Sequence, residues 1–210
     1  MFIAPSLLAA DYSALGEELK RIQGAELLHI DVMDGCFVPN ITIGPAVIQS
    51  LRDKTDMIFD VHLMLIRPLR YIEAFAKAGA DKIAFHIESE DQPDEVLDEI
   101  VRCGKIPGIA IKPATPVDVL APFAEKLHTV IVMSVEPGFG GQSLIVETLT
   151  KVKEIKERFP HIMVEVDGGV NRETIQICHE SGADILVSGT GIFRAEDAQK
   201  EIEFLRSGKE

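Results

Sequence analysis

The sequence predicts an α/β protein, a single (β/α)8 barrel of the TIM type spanning residues 1–210. Three observations point there. Short apolar runs alternate with amphipathic stretches eight times along the chain. The runs are apolar almost throughout, as suits parallel strands covered on both faces. The histidines and acids best suited to chemistry fall at the C-terminal ends of those runs, where such a barrel carries its function. An open doubly wound sheet is the competing architecture, but the GxGxxG expected after its first strand is missing.

The expected strands are Phe2–Leu7, Leu27–Met33, Met57–Met64, Lys82–Ile87, Gly108–Lys112, Thr129–Val135, Ile162–Val166 and Ile185–Ser188. Each is short, rich in Val, Ile, Leu or Phe, and closed by Gly, Pro, Asp or His. Helical patterns lie between them, among them Tyr12–Gln23, Leu69–Ala78, Asp94–Cys103, Ile145–Arg158 and Glu173–Ser181. The segments IQGAE, AKAGAD and HESGAD put a glycine just past a helix and before the next strand, where a left-handed cap is cheap. Strands recur about every 25 residues, yet no side-chain consensus repeats with them, so the units share architecture rather than a solenoid motif.

Composition narrows the function classes. The apolar share of 46% and charged share of 26% are those of an ordinary soluble globular protein. A net charge of -13 argues against a nucleic-acid partner, since phosphate backbones are bound through clustered Lys and Arg. Any phosphate must be held locally, by backbone N–H groups or helix ends. Cys36, Cys103 and Cys178 are widely spaced, with no CxxC, which fits a reducing, cytoplasmic setting. Cys36 is read as a bystander beside the first motif below. No apolar run approaches the roughly 18 residues of a membrane span, and MFIAPSLLAA, without a basic start, is read as a buried strand and loop rather than a signal peptide.

Four residues form a metal-ligand pattern: His29 and Asp31 in HIDVMDG, His62 in DVHLM, and Asp167 in VEVDGGV. Residues two apart on a strand point to one face, so His29 and Asp31 can share the interior mouth of a barrel. Two imidazoles and two carboxylates suit one divalent cation, with zinc, iron, manganese and cobalt all compatible. Asp60, two before His62, is expected to accept a hydrogen bond that fixes a histidine tautomer, or to have a structural partner inside the barrel. Asp34 precedes Gly35 and is read as the turn leaving strand two. His86, at the end of strand four, is read as structural, with a place in the mouth as the alternative. His128, His161 and His179 are expected to face solvent.

Three glycine-rich segments follow consecutive strands: EPGFGGQ (Glu136–Gln142), DGGV (Asp167–Val170) and SGTGIF (Ser188–Phe193). Loops of this kind can turn several N–H groups onto one anion, and the last two occupy the usual phosphate site of this barrel. A phosphorylated substrate is expected. Met33, Met64 and Met133 end strands two, three and six. They are read either as core or as a soft apolar lid that excludes water from a reactive intermediate.

With these residues in place, the chain resembles the ribulose-phosphate 3-epimerase family. The resemblance rests on PSLLAAD (Pro5–Asp11), HIDVMDGCFVPNITIG (His29–Gly44), DVHLM (Asp60–Met64), KPATP (Lys112–Pro116), MSVEPGFGGQ (Met133–Gln142), VEVDGGV (Val164–Val170) and VSGTGIF (Val187–Phe193), in family order from residue 3 to about 205. It implies an isomerase of carbohydrate metabolism, in the pentose phosphate pathway, that interconverts D-ribulose 5-phosphate and D-xylulose 5-phosphate. It also implies one divalent metal ion on His29, Asp31, His62 and Asp167, with Asp31 and Asp167 as the catalytic acid/base pair. Substrate contacts are implied for Ser6, His62, Gly138, Phe139, Gly140, Gly141, Gly168, Gly169, Gly189 and Thr190. The chain departs from the common pattern at Cys36, where many members carry His or another polar residue, and at Thr190-Gly191, which replaces Ser-Ala. Lys112 and Glu136 match the branch typical of eukaryotic enzymes. Ending adjacent strands, they are expected to form an ion pair.

Inverting C3 means removing a proton beside the C2 ketone and returning one on the opposite face. Asp31 on strand two and Asp167 after strand seven could reach across the mouth as base and acid, exchanging roles with direction. A divalent metal on the substrate oxygens would stabilise the developing negative charge. The rival with the same chemistry is a ketohexose 6-phosphate epimerase, acting on a sugar such as allulose 6-phosphate. A phosphosugar lyase or decarboxylase is disfavoured because DVHLML stands where such enzymes resemble DxKxxD. A non-catalytic phosphosugar-binding protein is disfavoured by the intact quartet. Outer helical faces allow a homo-oligomer, with a dimer favoured, although no residue marks the interface.

Overall fold

The computed structural model describes residues 1–209. Eight strands run in chain order: β1 (Phe2–Pro5), β2 (Leu27–Met33), β3 (Ile58–Met64), β4 (Lys82–His86), β5 (Ile106–Ile111), β6 (Thr129–Met133), β7 (Met163–Asp167) and β8 (Ile185–Ser188). All neighbours pair in parallel in the order β1-β8-β7-β6-β5-β4-β3-β2. A parallel bridge between Ser6 and His29 joins the remaining two edges and closes the sheet into a (β/α)8 TIM barrel.

The α-helices are α1 (Leu15–Arg21), α2 (Pro45–Arg52), α3 (Ile72–Ala78), α4 (Pro93–Arg102), α5 (Leu149–Arg158), α6 (Ile175–Ser181), α7 (Thr190–Phe193) and α8 (Ala198–Ser207). Between β5 and β6 the chain forms 3₁₀ turns over Val117–Lys126 instead. Pro122 within that segment has no N–H to donate and would clash with an α-helical carbonyl one turn back. Helices α3 and α6 end on Gly79 (φ 110°) and Gly182 (φ 86°), the left-handed caps expected from AKAGAD and HESGAD.

Several strand ends differ from the sequence reading. β1 stops at Pro5, because Leu7–Ala9 turn into a short 3₁₀ segment over the barrel mouth. β6 stops at Met133, where the Ser134 hydroxyl donates to the Gly168 carbonyl (2.6 Å) and ties its exit to the β7 loop. β5 begins at Ile106 and ends at Ile111. β7 extends through Asp167, which is therefore the last strand residue rather than the first loop residue.

Past their first residues the strands are buried, and their two faces meet different surroundings. Ile30, Val32, Phe59, Val61, Ile83, Phe85, Val130, Val164 and Leu186 pack outward into one continuous core beneath the helices. Fully burying side chains of this kind contributes about 1.5–3 kcal/mol each. The alternate residues point into the barrel, where Ala4, Leu27, Ile185 and Val187 form one small apolar cluster and Ala84, Ala110, Ile131 and Met133 belong to another. The remainder of the interior is polar: His29, Asp31, Asp60, His62, Lys82, His86, Glu165 and Asp167 are all buried. The sheet register places His29 beside Asp60 and Asp60 beside Lys82, with Asp31 beside His62 one step further toward the mouth. This polar half is what the fold holds in place for chemistry.

Candidate active site

The deepest layer is an ion cluster. Lys82 Nζ lies 3.0 Å from Asp60 Oδ1 and 3.1 Å from Glu165 Oε2. His29 Nδ1 lies 2.9 Å from Asp60 Oδ2 and 3.0 Å from Glu165 Oε1. Burial works against the Asp60 carboxylate, but Lys82 and His29 outweigh it and hold Asp60 below the usual carboxylate range. Glu165 is pushed upward by burial and by the Asp60 charge. Asp60 and Glu165 on Nδ1 make that nitrogen the donor, which leaves Nε2 as the nitrogen directed toward the mouth. Asp60 thus has the tautomer-fixing contact expected of it.

Above that layer the four sequence-identified ligands converge. His29 Nε2 is 3.4 Å from Asp31 Oδ1 and 3.5 Å from Asp167 Oδ2, and His62 Nδ1 is 3.3 Å and 3.4 Å from the same two oxygens. These separations exceed the 2.7–3.2 Å of N–H···O hydrogen bonds. They match donors about 2.0–2.2 Å from one tetrahedral cation, which stand about 3.3–3.6 Å apart. His29 Nε2 and His62 Nδ1 are fully buried and make no hydrogen bond. Buried polar nitrogens are rarely left so. The quartet can therefore hold a divalent cation. Burial alone would lower the His62 imidazole, yet Asp167 and Asp31 outweigh it and raise it to about 9. The site thus attracts positive charge, which a cation would supply without protonating the ring.

The four ligands do not face the same space. Asp31 and Asp167 line a cavity of about 400 Å³ above the barrel, whereas His29 and His62 sit behind them with no exposed surface. Two strands, β1 and β8, lie between β2 and β7, so the carboxylates approach the cavity from different sides. The Ser6 hydroxyl donates to Asp31 Oδ2 (2.6 Å). On the far side of His62, its Nε2 is 2.9 Å from Nε2 of His86, whose Nδ1 is 3.1 Å from Glu88 Oε2. Burial dominates at His86 and lowers it to about 4, while Glu88, although partly buried, is held at about 2 by His86, Thr115 and the Lys112 N–H.

The expected substrate residues gather on the same cavity. Ser6, Gly138, Phe139, Gly140, Gly141, Gly168, Gly169, Gly189 and Thr190 line it, as do Met33, Met64 and Met133. His62 does not reach it. The loops hold one another: Asn40 Nδ2 donates to the Gly138 carbonyl (2.8 Å), and Gln142 Nε2 donates to the carbonyls of Glu136 (2.7 Å) and Phe139 (2.8 Å). Gly168 (φ 119°) and Gly169 (φ 70°) are required by position as well as conformation. A Cβ on either would collide with Val135 or with the backbone of Leu144. Thr190 opens α7 at the cavity wall.

The expected ion pair also fails. Lys112 and Glu136 do not form an ion pair: Lys112 Nζ lies 4.1 Å from the centroid of the Phe37 ring, a cation–π contact, and Glu136 is exposed. Adjacency of two strand ends did not reveal that Phe37, from the loop after β2, would take the lysine. Cys36 is exposed and lies outside both the quartet and the cavity lining. Asp34 makes the expected turn, accepting from the N–H groups of Cys36 (2.8 Å) and Phe37 (2.9 Å). It also accepts from Ile66 N–H (2.8 Å), linking the exits of β2 and β3. His128 and His161 are exposed, while His179 is half-buried with Nε2 2.9 Å from the Leu205 carbonyl.

Sequence reasoning missed Lys82, Glu165, Glu88 and Arg194. Glu165 stands two residues before Asp167, the same spacing that exposed His29 with Asp31, so that signal was present in VEVD. Lys82 carried a weaker one, as a charge opening a buried strand. Arg194 lies four residues past Thr190, beyond the glycine motif, and is the one Lys or Arg lining the cavity among the described residues.

Similarity to known proteins agrees with this geometry. In fold, the chain is similar to 3-hexulose-6-phosphate synthase from Salmonella typhimurium (TM-score 0.75, 14% identity, 99% of this chain and 97% of that one). It is likewise similar to the tryptophan synthase A-subunit from Pyrococcus furiosus (TM-score 0.73, 14% identity, 99% and 97%). In sequence, it is 45% identical to a ribulose-phosphate 3-epimerase of Schizosaccharomyces pombe over 98% of this chain and 92% of that protein. It is 44% identical to a ribulose-phosphate 3-epimerase of Bacillus subtilis over 99% of both. Residues 2–193 match the sequence pattern described as the ribulose-phosphate 3 epimerase family. The chain, with the family motifs set around one barrel mouth, belongs to the ribulose-phosphate 3-epimerase family.

Proposed function

We propose that this site interconverts D-ribulose 5-phosphate and D-xylulose 5-phosphate by two-base proton transfer at C3. The observation that carries the reading is the division of the quartet, with two carboxylates on the cavity and two imidazoles behind them. One carboxylate takes the C3 proton from its face of the sugar and the other returns a proton to the opposite face. Ser6 holds one oxygen of Asp31 by donating to it, which leaves the other oxygen toward the imidazoles. Met33, Met64 and Met133 supply apolar surface above the reacting carbon and offer it no exchangeable proton. When bound to His29, Asp31, His62 and Asp167, a divalent cation such as zinc, iron, manganese or cobalt supplies Lewis-acid stabilisation of negative charge on the substrate oxygens.

The decisive experiment follows C3 in deuterated water, with metal analysis of the purified chain. Expected are deuterium incorporation at C3 in both epimers, about one divalent metal per chain, loss of turnover on chelation and its return on adding metal back. Full turnover by metal-free protein would remove the cation from the reading. Absence of exchange from metal-loaded protein would remove the epimerase assignment itself.

The glycine loops are assigned to the substrate phosphate, with Arg194 as its one side-chain cation. Arg194 is exposed at the cavity edge, and no carboxylate of a described residue lies within 4.0 Å of it. Arg194→Gln is expected to raise KM about tenfold with kcat within about twofold, since a hydrogen bond to a charged group contributes about 1.5–3 kcal/mol and this one is partly solvated. An unchanged KM would reject the assignment.

Three finer assignments belong with this reading. Lys112 and Glu136 support the eukaryotic-like branch, although overall identity to the fission-yeast and Bacillus relatives differs by one percentage point (45% and 44%). A cytoplasmic location is supported by free Cys36, Cys103 and Cys178, and no helix among the described residues is long and apolar enough to cross a membrane. A homo-oligomer, with a dimer favoured, is supported by the outer helical layer, and sedimentation of the purified chain measures it.

A further inference from the structure

We propose that Glu88 and His86 are positioning residues that dictate which ring nitrogen of His62 carries the proton, keeping its Nδ1 lone pair aimed at Asp31 and Asp167. The inference rests on the cation-site reading above and extends it to residues outside the quartet. It starts at Glu88, on the segment leaving β4. Its Oε1 accepts from the backbone N–H of Lys112 (2.9 Å) and from the Thr115 hydroxyl, which fixes the carboxylate against the β5 exit. Its Oε2 is 3.1 Å from Nδ1 of His86.

An ionised carboxylate offers only lone pairs, so the proton between these two groups sits on His86 Nδ1. The other nitrogen of His86 then presents a lone pair to His62 Nε2 at 2.9 Å. Two lone pairs do not face each other at that distance. His62 must therefore carry a proton on Nε2, which makes Nδ1, 3.3 Å from Asp31 Oδ1 and 3.4 Å from Asp167 Oδ2, the nitrogen available to a cation. The Phe37 ring, with its centroid 4.7 Å from that of His86, packs against the intermediate imidazole. His29 reaches the matching state by a shorter route, with Asp60 on its Nδ1. One imidazole is set directly by a carboxylate, the other through a second imidazole.

Glu88→Gln inverts the logic with almost no change in shape. The Lys112 N–H can only donate, so it holds the new amide oxygen at the Oε1 position and turns the amide NH₂ toward His86. His86 must then accept at Nδ1 and carry its proton on Nε2, which forces the His62 proton onto Nδ1, inside the cluster.

The test uses the purified full chain, stripped of metal and titrated with Zn²⁺ alone, with ¹⁵N-labelled histidine read by NMR. Expected are His62 protonated on Nε2 in the zinc-loaded wild type, His62 Nε2 unprotonated in metal-free Glu88→Gln, and zinc affinity lowered about 10–100-fold in that variant. Unchanged zinc affinity in a folded Glu88→Gln protein would overturn the relay and leave the cation site standing. A wild-type protein that does not bind zinc through the quartet would overturn both. If the variant fails to fold, the wild-type spectrum decides: His62 unprotonated on Nε2, or His86 protonated on Nε2, overturns the proposal.

Discussion

Asp31→Asn is expected to lower turnover of ribulose 5-phosphate by about 10²–10⁴-fold, the usual contribution of a positioned acid or base. The fold should survive, because Asn keeps the volume of Asp31 and can still accept from the Ser6 hydroxyl. The more informative result is stereochemical. With one base left, Asp167 should still exchange solvent deuterium at C3 of the epimer whose hydrogen faces it, without inverting that centre. Asp167→Asn should show the mirror behaviour, exchanging the other epimer. Product analysis by NMR in deuterated water separates the two. Near-normal epimerisation by Asp31→Asn with metal still bound would overturn the two-base mechanism, as would exchange of both epimers by either variant.

The largest stability effect is expected at Lys82. It is the lysine of the deepest layer, 3.0 Å and 3.1 Å from the buried carboxyl groups of Asp60 and Glu165. Removing one partner of a buried ion pair leaves a charge with neither water nor a counter-ion, at a cost of about 3–5 kcal/mol. Lys82→Met should therefore lower Tm by about 6–20 °C, taking about 2–4 °C per kcal/mol for a chain of this size. Adding Glu165→Gln should recover part of the loss, since the neutral amide removes the repulsion with Asp60 that Lys82 offsets. Calorimetry of the two variants measures both effects. A Tm within about 2 °C of wild type for Lys82→Met would show that the cluster does not depend on the ammonium.

How much of this was legible in the sequence follows from where each signal lies. Strand rhythm is local, because apolar runs and their closing residues record burial one strand at a time, and β2 and β8 have the expected limits. The strand ends that moved, at β1, β3, β4, β5, β6 and β7, depend on neighbouring segments, as at the β6 exit, where Ser134 is tied to Gly168. The quartet was legible because each ligand sits beside another acid or a glycine turn in a short motif. The groups that tune it were not: Lys82, His86 and Glu88 stand on or just after a strand that looked purely structural. Their chemistry appears only when β3 and β4 are paired and β7 faces them across the barrel. The Lys112–Glu136 expectation failed for the same reason in reverse. Two strand ends were correctly adjacent, and an aromatic ring from a third loop altered the outcome.

The seam of the barrel sets when the protein becomes active. Ser6 and Asp31 are 25 residues apart, so their hydrogen bond joins β1 to β2 locally. The pairing of β1 with β8, Phe2 with Ile185, instead joins the first strand to the last. Contacts that distant along the chain tend to form late. His29, Asp31 and His62 lie on β2 and β3, whereas Asp167 lies on β7 and meets them only once the seam has shut. During refolding, metal capture by the full quartet and epimerase activity should thus appear together, as the first and last strands join.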